Sequence, residues 1–402
     1  GDLMLSNEAK SYIHASVPVL REHGNAITKV FYENLFTSHP ELKHVFNMGN
    51  QANGAQQQSL AAAVFAYASN IDQLENLTPV VRRIAHKHAS LGIKPEQYPI
   101  VGQHLLGAIK QTLGEAATTP LLQAWEQAYG MLADTLISFE KTITEDKGKP
   151  LGQMLRVRVS GISIQSELVK SFQLTPVDAP LPHFHPGQYV SVLARFADGT
   201  RQLRQYSLSD STDKPYLRIS VKRETGSTTP DGQVSNWLHH EMKVGDEIEI
   251  SQPYGDFTPD IMSDQPIILI SAGIGITPMI STLNEIAARN PSKRVIFAHL
   301  ARRRAQHAHI DDLLNAFETM EQLDAVTFYK SPGPNDNLGA YTHAGNFDFS
   351  KLPKFDIGKT SIFICGPSQF MKEIIRVFSA LGVPRINIHR EVFGPDLLDL
   401  YL

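Results

Sequence analysis

The sequence predicts a multidomain chain of three consecutive parts: an all-α segment, an antiparallel β domain, and an α/β domain with a parallel sheet. Three observations predict it. Over residues 5 to about 145, apolar residues recur at three and four spacing in "ITKVFYENLF", "QSLAAAVFAYASNI" and "LLQAWEQAYGMLADTLISF". That pattern breaks at "EDKGKPLGQ", with Gly148, Pro150 and Gly152, and short alternating runs follow, such as "RVRVSGI", "QYVSVLARF" and "LRISVKRE". From Pro266 the strands change character: "PIILIS", "RVIFAHL" and "SIFICG" are continuous apolar runs separated by helical stretches, as in βαβ units.

With 402 residues the chain is too long for one ordinary core. A formal charge of −4 offers no basic stripe for phosphates, so neither nucleic acid nor an anionic membrane is expected as a partner. The single cysteine, Cys365, excludes an internal disulfide framework and any cysteine-based metal cluster, and suits a reducing cytoplasmic home. No run of about 18 apolar residues predicts a membrane span, so no stable membrane anchoring is expected. Small molecules are the favoured partners.

In the helical part, "RRIAHKHASLGI" places His88 on one face with Ile84 and Val81, while His86 lies about 200° around the helix. His88 is expected to point inward and His86 outward. A lone inward histidine is commonly a satisfied core residue, so its meaning depends on what stands opposite. Tyr32 shares a face with Leu35 and Phe36, Phe46 follows the corner at Pro40, and Gln56 and Leu60 stand four apart. Taken singly, these read as core aromatics and a solvated glutamine.

The β part carries "RQYSLS". Arg204 offers a guanidinium for a phosphate, Tyr206 a flat ring, and Ser207, beside Gln205, a small donor, which is the set a flavin requires. Tyr189 stands upstream in "PGQYVSV". "GQVSNWL" puts Gly232, Val234 and Ser235 at a helix start, where backbone N–H groups favour a pyrophosphate and Ser235 could equally be a plain cap. In the last part a strand runs into "AGIGITPM", where Gly273 and Gly275 allow close backbone approach to a phosphate and Thr277 and Pro278 open a helix. Cys365, Gly366 and Pro367 form a second strand-end turn, and "REVFGPD" follows with Glu391, Val392, Phe393, Gly394 and Pro395. Arg302, Arg303 and Arg304 would suit a 2′-phosphate, although solvated helix charges explain them equally.

In this order the motifs resemble the flavohaemoglobins over nearly the whole chain, a globin fused to a module similar to the ferredoxin-NADP reductases. The resemblance implies a globin domain over 1–147, an FAD-binding β-barrel over 152–262 and an NAD(P)H-binding α/β domain over 263–402. It implies haem b, FAD and NADH or NADPH as cofactors, with His88 the iron ligand. Tyr32 and Gln56 become distal hydrogen-bond donors, Phe46 packs on the haem, Leu60 gates the distal side, and Tyr98 and Glu140 hold and polarise the His88 imidazole. It places Tyr189, Gln205 and Val234 at the flavin with the motif residues above, Cys365 to Pro367 beside the nicotinamide, and Glu391 to Pro395 against the flavin, with Lys87 meeting Glu391. The activity implied is a nitric oxide dioxygenase acting on O2 and NO; a haem-based oxygen or redox sensor, or a flavin reductase of other acceptors such as hydroperoxides, are the alternatives. A monomer is expected, with lipid conceivable in the distal pocket. Departures from the family are a linker without its tryptophan-bearing segment and His389-Arg390 ahead of Glu391.

Overall fold

The protein is described by a computed structural model covering residues 5–45, 55–225 and 232–393, with the side chains of 44–45, 55–60 and 62 outside the description. The chain divides into two compact units, the first comprising the segment to Met154 together with Leu193–Arg204, the second Leu155–Val192 and Gln205–Phe393. Among the described residues no helix is long and apolar enough to cross a membrane.

The segment to Met154 is helical. It runs through α1 (Asn7–Ala15), α2 (Val17–Ser38), α3 (Ala55–Ser69), α4 (Thr78–Leu91), α5 (Tyr98–Leu113) and α6 (Thr119–Lys147). Local chemistry sets the ends. Ser6 caps α1 by accepting from the Ala9 N–H, Thr118 caps α6 by accepting from Leu121, and prolines occupy first-turn positions of α2, α4, α5 and α6, where a missing N–H costs nothing. Helix α4 stops at Gly92, whose φ of 70° lies in the left-handed region. A Cβ there would stand 3.1 Å from the Cα of Gly152 in the linker, so two bare backbones meet at that point. Ile13, Ile27, Phe31, Leu35, Ile109 and Trp125 form the core, supplied by the apolar stripes seen in the sequence.

After the helical segment come six antiparallel strands: β1 (Leu155–Ile164), β2 (Val169–Pro176), β3 (Tyr189–Arg195), β4 (Arg201–Ser207), β5 (Leu217–Lys222) and β6 (Glu247–Ile250). Their order is β4-β3-β6-β1-β2-β5. An isolated antiparallel bridge between Leu208, just past β4, and Ile219 of β5 links the two ends of the sheet and closes it into a barrel. Helix α7 (Gln233–Glu241) follows β5.

The parallel sheet comprises β7 (Ile267–Ala272), β8 (Val295–Ala301), β9 (Leu323–Tyr329), β10 (Thr342–Ala344), β11 (Ser361–Cys365) and β12 (Ile388–Glu391), crossed by α8 (Ile276–Arg289), α9 (Ile310–Phe317) and α10 (Ser368–Ala380). Strand β7 is buried along its whole length, as its unbroken apolar run requires. The order β10-β9-β8-β7-β11-β12 reverses direction between β7 and β11. Ligands of open α/β sheets bind outside the carboxyl ends of strands at such a reversal, and both glycine turns lie there.

Candidate functional site

His88 sits on α4 in a network that fixes its tautomer. Glu140 on α6 is 2% exposed, and its Oε1 accepts the Tyr98 hydroxyl at 2.6 Å and faces His88 Nδ1 at 3.1 Å. The Tyr98 oxygen is also 2.8 Å from Nδ1. Burial first, then the Glu140 charge, pushes the Tyr98 phenol far above its ordinary value, so Tyr98 stays protonated and donates to the carboxylate. Nδ1 must then carry the ring proton, shared between two acceptors, which leaves Nε2 with its lone pair free for a metal. The side chain of His88 keeps 27% of its surface open, unlike a satisfied core histidine. An imidazole held in this way fits a haem iron.

Two residues overlooked in the sequence complete this side. The Tyr129 hydroxyl donates to the backbone carbonyl of Tyr98 at 2.5 Å, and the Tyr129 ring lies where a side chain on Gly102 would stand, 2.4 Å from the position of its Cβ. Only their spatial neighbourhood reveals them, because 31 residues separate Tyr98 from Tyr129.

Tyr32 is buried on α2, stacked on Phe36 with ring centroids 5.8 Å apart, and burial raises its phenol well above the ordinary range. Gln56 and Leu60 lie on α3, but their side chains, like all of Phe46, are outside the described residues. Lys87 and His86 are both half-buried, so the outward placement expected for His86 is only partly realised.

In the barrel, Arg204, Gln205 and Tyr206 are all half-buried, where a regular strand would alternate. Ser207 behind them is 4% exposed, and its Oγ has no hydrogen-bond partner among the described residues. A buried hydroxyl in that state is what a ligand's ring atoms would satisfy, so the motif fits a flavin. Tyr189 is buried on β3 and Val234 on α7. Gly232 is the N-cap of α7, while the Ser235 hydroxyl accepts from Glu224 N–H and donates to the Gly232 carbonyl, both at 3.1 Å.

The two turns of the last domain are built against each other. A Cβ on Gly275 would stand 2.3 Å from the Cys365 carbonyl oxygen, and one on Gly366 would meet Phe370 at 2.9 Å. Gly273 has φ 57°, and Thr277 and Pro278 lie buried in the first turn of α8. Glycine is therefore required at 275 for the turns to pack, leaving N–H groups at the start of α8 as a cradle that fits a nucleotide's phosphates. Cys365 is fully buried, and Pro367 caps α10. Ser271, Cys365 and Glu391 pair across β7, β11 and β12 in one transverse row. Glu391 and Val392 are buried, Phe393 is 41% exposed, and Gly394 and Pro395 lie outside the described residues. His389 stacks on Phe363 at 4.5 Å. Arg303, one of the three arginines weighed for a 2′-phosphate, is paired with Glu167 at 2.6 Å.

Known proteins match part by part. Residues 29–136 match the globin family, 156–258 the oxidoreductase FAD-binding domain and 269–376 the oxidoreductase NAD-binding domain. The flavohemoprotein of Rhizobium meliloti (strain 1021) is 45% identical over 98% of this chain and 99% of its own. That of Bacillus subtilis (strain 168) is 42% identical over 98% of both. The flavohemoglobin of Malassezia yamatoensis, solved with bound FAD and heme, superposes with a TM-score of 0.84 at 27% identity, covering 97% of this chain and 100% of that one. The Flavohem-like FAD/NAD binding domain of nitric oxide dioxygenase from Vibrio cholerae O1 biovar El Tor is 31% identical over 60% of this chain and 99% of its own, with a TM-score of 0.55. The chain belongs to the flavohemoprotein family, and it carries that family's haem, FAD and NAD modules in order.

Proposed function

We propose that the protein is an NAD(P)H-dependent nitric oxide dioxygenase of the cytoplasm. Two NO and two O2 are converted, with the two electrons of one NAD(P)H, to two nitrate ions, NAD(P)+ and one proton. The observation that carries this reading is the His88–Tyr98–Glu140 network. A carboxylate behind the ring N–H raises the donor strength of Nε2, which suits oxygen activation better than reversible carriage.

When bound, haem supplies the iron at which the gases meet, FAD accepts electrons in pairs and passes them singly, and the nicotinamide supplies the pairs. Tyr98 and Glu140 keep the proton on His88 Nδ1 and hold the ring's orientation. The Tyr32 phenol, kept protonated by burial, is a donor on the distal side, where a dry pocket strengthens each hydrogen bond. Gln56 would share that task, with Leu60 and Phe46 shaping the pocket wall. Arg204 would hold the flavin phosphate, Tyr206 would offer its ring to the isoalloxazine and Ser207 would donate to it; Tyr189, Gln205, Gly232, Val234 and Ser235 would complete the surround. Gly273, Gly275, Thr277 and Pro278 would take the nucleotide's phosphates, and the Cys365–Pro367 turn and Glu391 to Phe393 would border the nicotinamide and flavin.

An absorption spectrum before and after anaerobic NADH or NADPH, followed by NO consumption in air, tests the reading. A haem band that turns ferrous on nucleotide addition is expected, with NO removal lost in His88→Ala. NO removal that survives this substitution would sink it.

A further inference from the structure

Where the barrel meets the α/β domain, a buried polar cluster lies outside the cofactor motifs. Asp210, Arg218, Glu285 and His309 are each at most 9% exposed. Asn284 on α8 donates to Asp210 Oδ1 at 3.0 Å and to Asp312 Oδ1 at 3.1 Å, bridging one carboxylate from each domain. Ser281, one turn earlier, donates to the Asp210 carbonyl at 2.7 Å, and Glu285 accepts from the Thr212 N–H and hydroxyl at 3.0 and 2.9 Å. Arg218 on β5 reaches Asp312 at 3.0 Å and Asp210 at 3.4 Å. The His309 ring lies between Asp312 at 2.7 Å and Ser220 at 2.8 Å. Among the described residues His309 is the one non-glycine residue with positive φ, 64°, a conformation that persists where its surroundings fix it.

Position gives this cluster its meaning. Ser281, Asn284 and Glu285 occupy one face of α8, the helix whose first turn follows Gly273 and Gly275. From Pro278 to Ser281 the helix rises about 4.5 Å. Asp210 comes three residues after Ser207, about 10 Å of extended chain. One rigid helix and one short stretch therefore join the nucleotide turn to the flavin motif. A plain apolar interface would tolerate sliding, and buried ionic groups add little net stability but can specify a single register.

We propose that Asn284, His309 and Arg218 are positioning residues that set α8 on the Asp210–Thr212 stretch and thereby fix the separation between the nicotinamide and the flavin. This rests on the reading of the two β domains as a nicotinamide–flavin reductase. The full-length protein with haem and FAD is compared with Asn284→Ala and His309→Gly; glycine accepts the same backbone conformation without the ring. Three quantities are read: hydrogen exchange of the Thr212 amide without nucleotide, the charge-transfer absorbance formed on mixing with NADH, and the anaerobic rate of flavin reduction at saturating NADH. Faster Thr212 exchange, a weaker charge-transfer band and a rate lower by about 10- to 100-fold are expected, with half-saturation little changed. If a variant does not fold, Ser281→Ala removes the bond to the Asp210 carbonyl and Thr212→Val the hydroxyl's bonds to Glu285, for the same measurements. A rate per bound flavin within about twofold of the unsubstituted protein, even with a lower melting temperature, would overturn the proposal by making the cluster a stabiliser only. An unsubstituted protein whose flavin NADH and NADPH leave oxidised would instead overturn the reductase reading, and the proposal with it.

Discussion

Replacing Glu140 by glutamine keeps the side-chain volume and removes the charge on which the His88 network depends. The carboxylate is 2% exposed and has the Tyr98 hydroxyl at 2.6 Å and His88 Nδ1 at 3.1 Å on a single oxygen. Two effects on folding oppose each other. A hydrogen bond to a charged group contributes about 1.5–3 kcal/mol against about 0.5–1.5 kcal/mol for a neutral one, so the two bonds together lose about 2 kcal/mol. Removing a buried charge gives back a desolvation cost of several kcal/mol that partners had offset. Stability should therefore shift by no more than about 2 kcal/mol in either direction. Chemistry at Nε2 has no such cancellation. Partners that orient and polarise a metal-bound histidine contribute about 10- to 100-fold. Expressed as ferric over ferrous preference, that raises the iron potential by about 60–120 mV. Potentiometric titration of the haem alongside NO consumption at saturating NADH measures both. A potential and a rate indistinguishable from those of the unsubstituted protein would refute the argument that Glu140 acts through His88.

Other sites give equally direct outcomes. Ser207→Ala removes a buried hydroxyl with no partner among the described residues, so the FAD-free protein should gain about 1 kcal/mol in a urea titration while FAD retention, read from released flavin fluorescence, weakens about tenfold. Gly275→Ala would put a Cβ 2.3 Å from the Cys365 carbonyl; about 1–3 kcal/mol of stability should be lost, and NADH should fail to reduce the flavin although haem and FAD contents hold. Burial, then the Arg304 and His309 charges, holds the His307 imidazole down at about 4. Unfolded, it titrates near 6.5, so between those values the unfolded chain binds a proton that the native chain does not. Stability should fall as pH drops through that window, by about 3 kcal/mol at its full extent, and His307→Gln should flatten the fall in urea titrations at pH 7 and pH 5.

What the sequence conveyed divides by the range of the interactions involved. Helical periodicity, the glycine breaks around Gly148 and the buried run of β7 are local signals, and each became the element expected of it. Barrel closure through Leu208 and Ile219 and the reversal of strand order between β7 and β11 are global properties that no short window contains. The haem side shows the same split. The helical face of His88 was readable from four-residue spacing, whereas Glu140, tied to His88 only by the family resemblance, lies 52 residues away in the chain. Tyr129 and Gly102 were invisible for that reason. Arg303 stood beside Arg302 and Arg304 as either a phosphate ligand or a solvated charge, and in the fold it pairs with Glu167, 136 residues distant, a partner that no short window contains.

The meeting of Gly92 with Gly152 carries a mechanical consequence. The helix bearing His88 ends with its last backbone turn resting on the linker, 3.1 Å from the Gly152 Cα by the measure of an added Cβ. Tension or slack in that linker is therefore delivered four residues from His88, along a stiff helical rod. A haem fragment cut after Lys147 would lose this buttress, and one extended through Met154 would keep it.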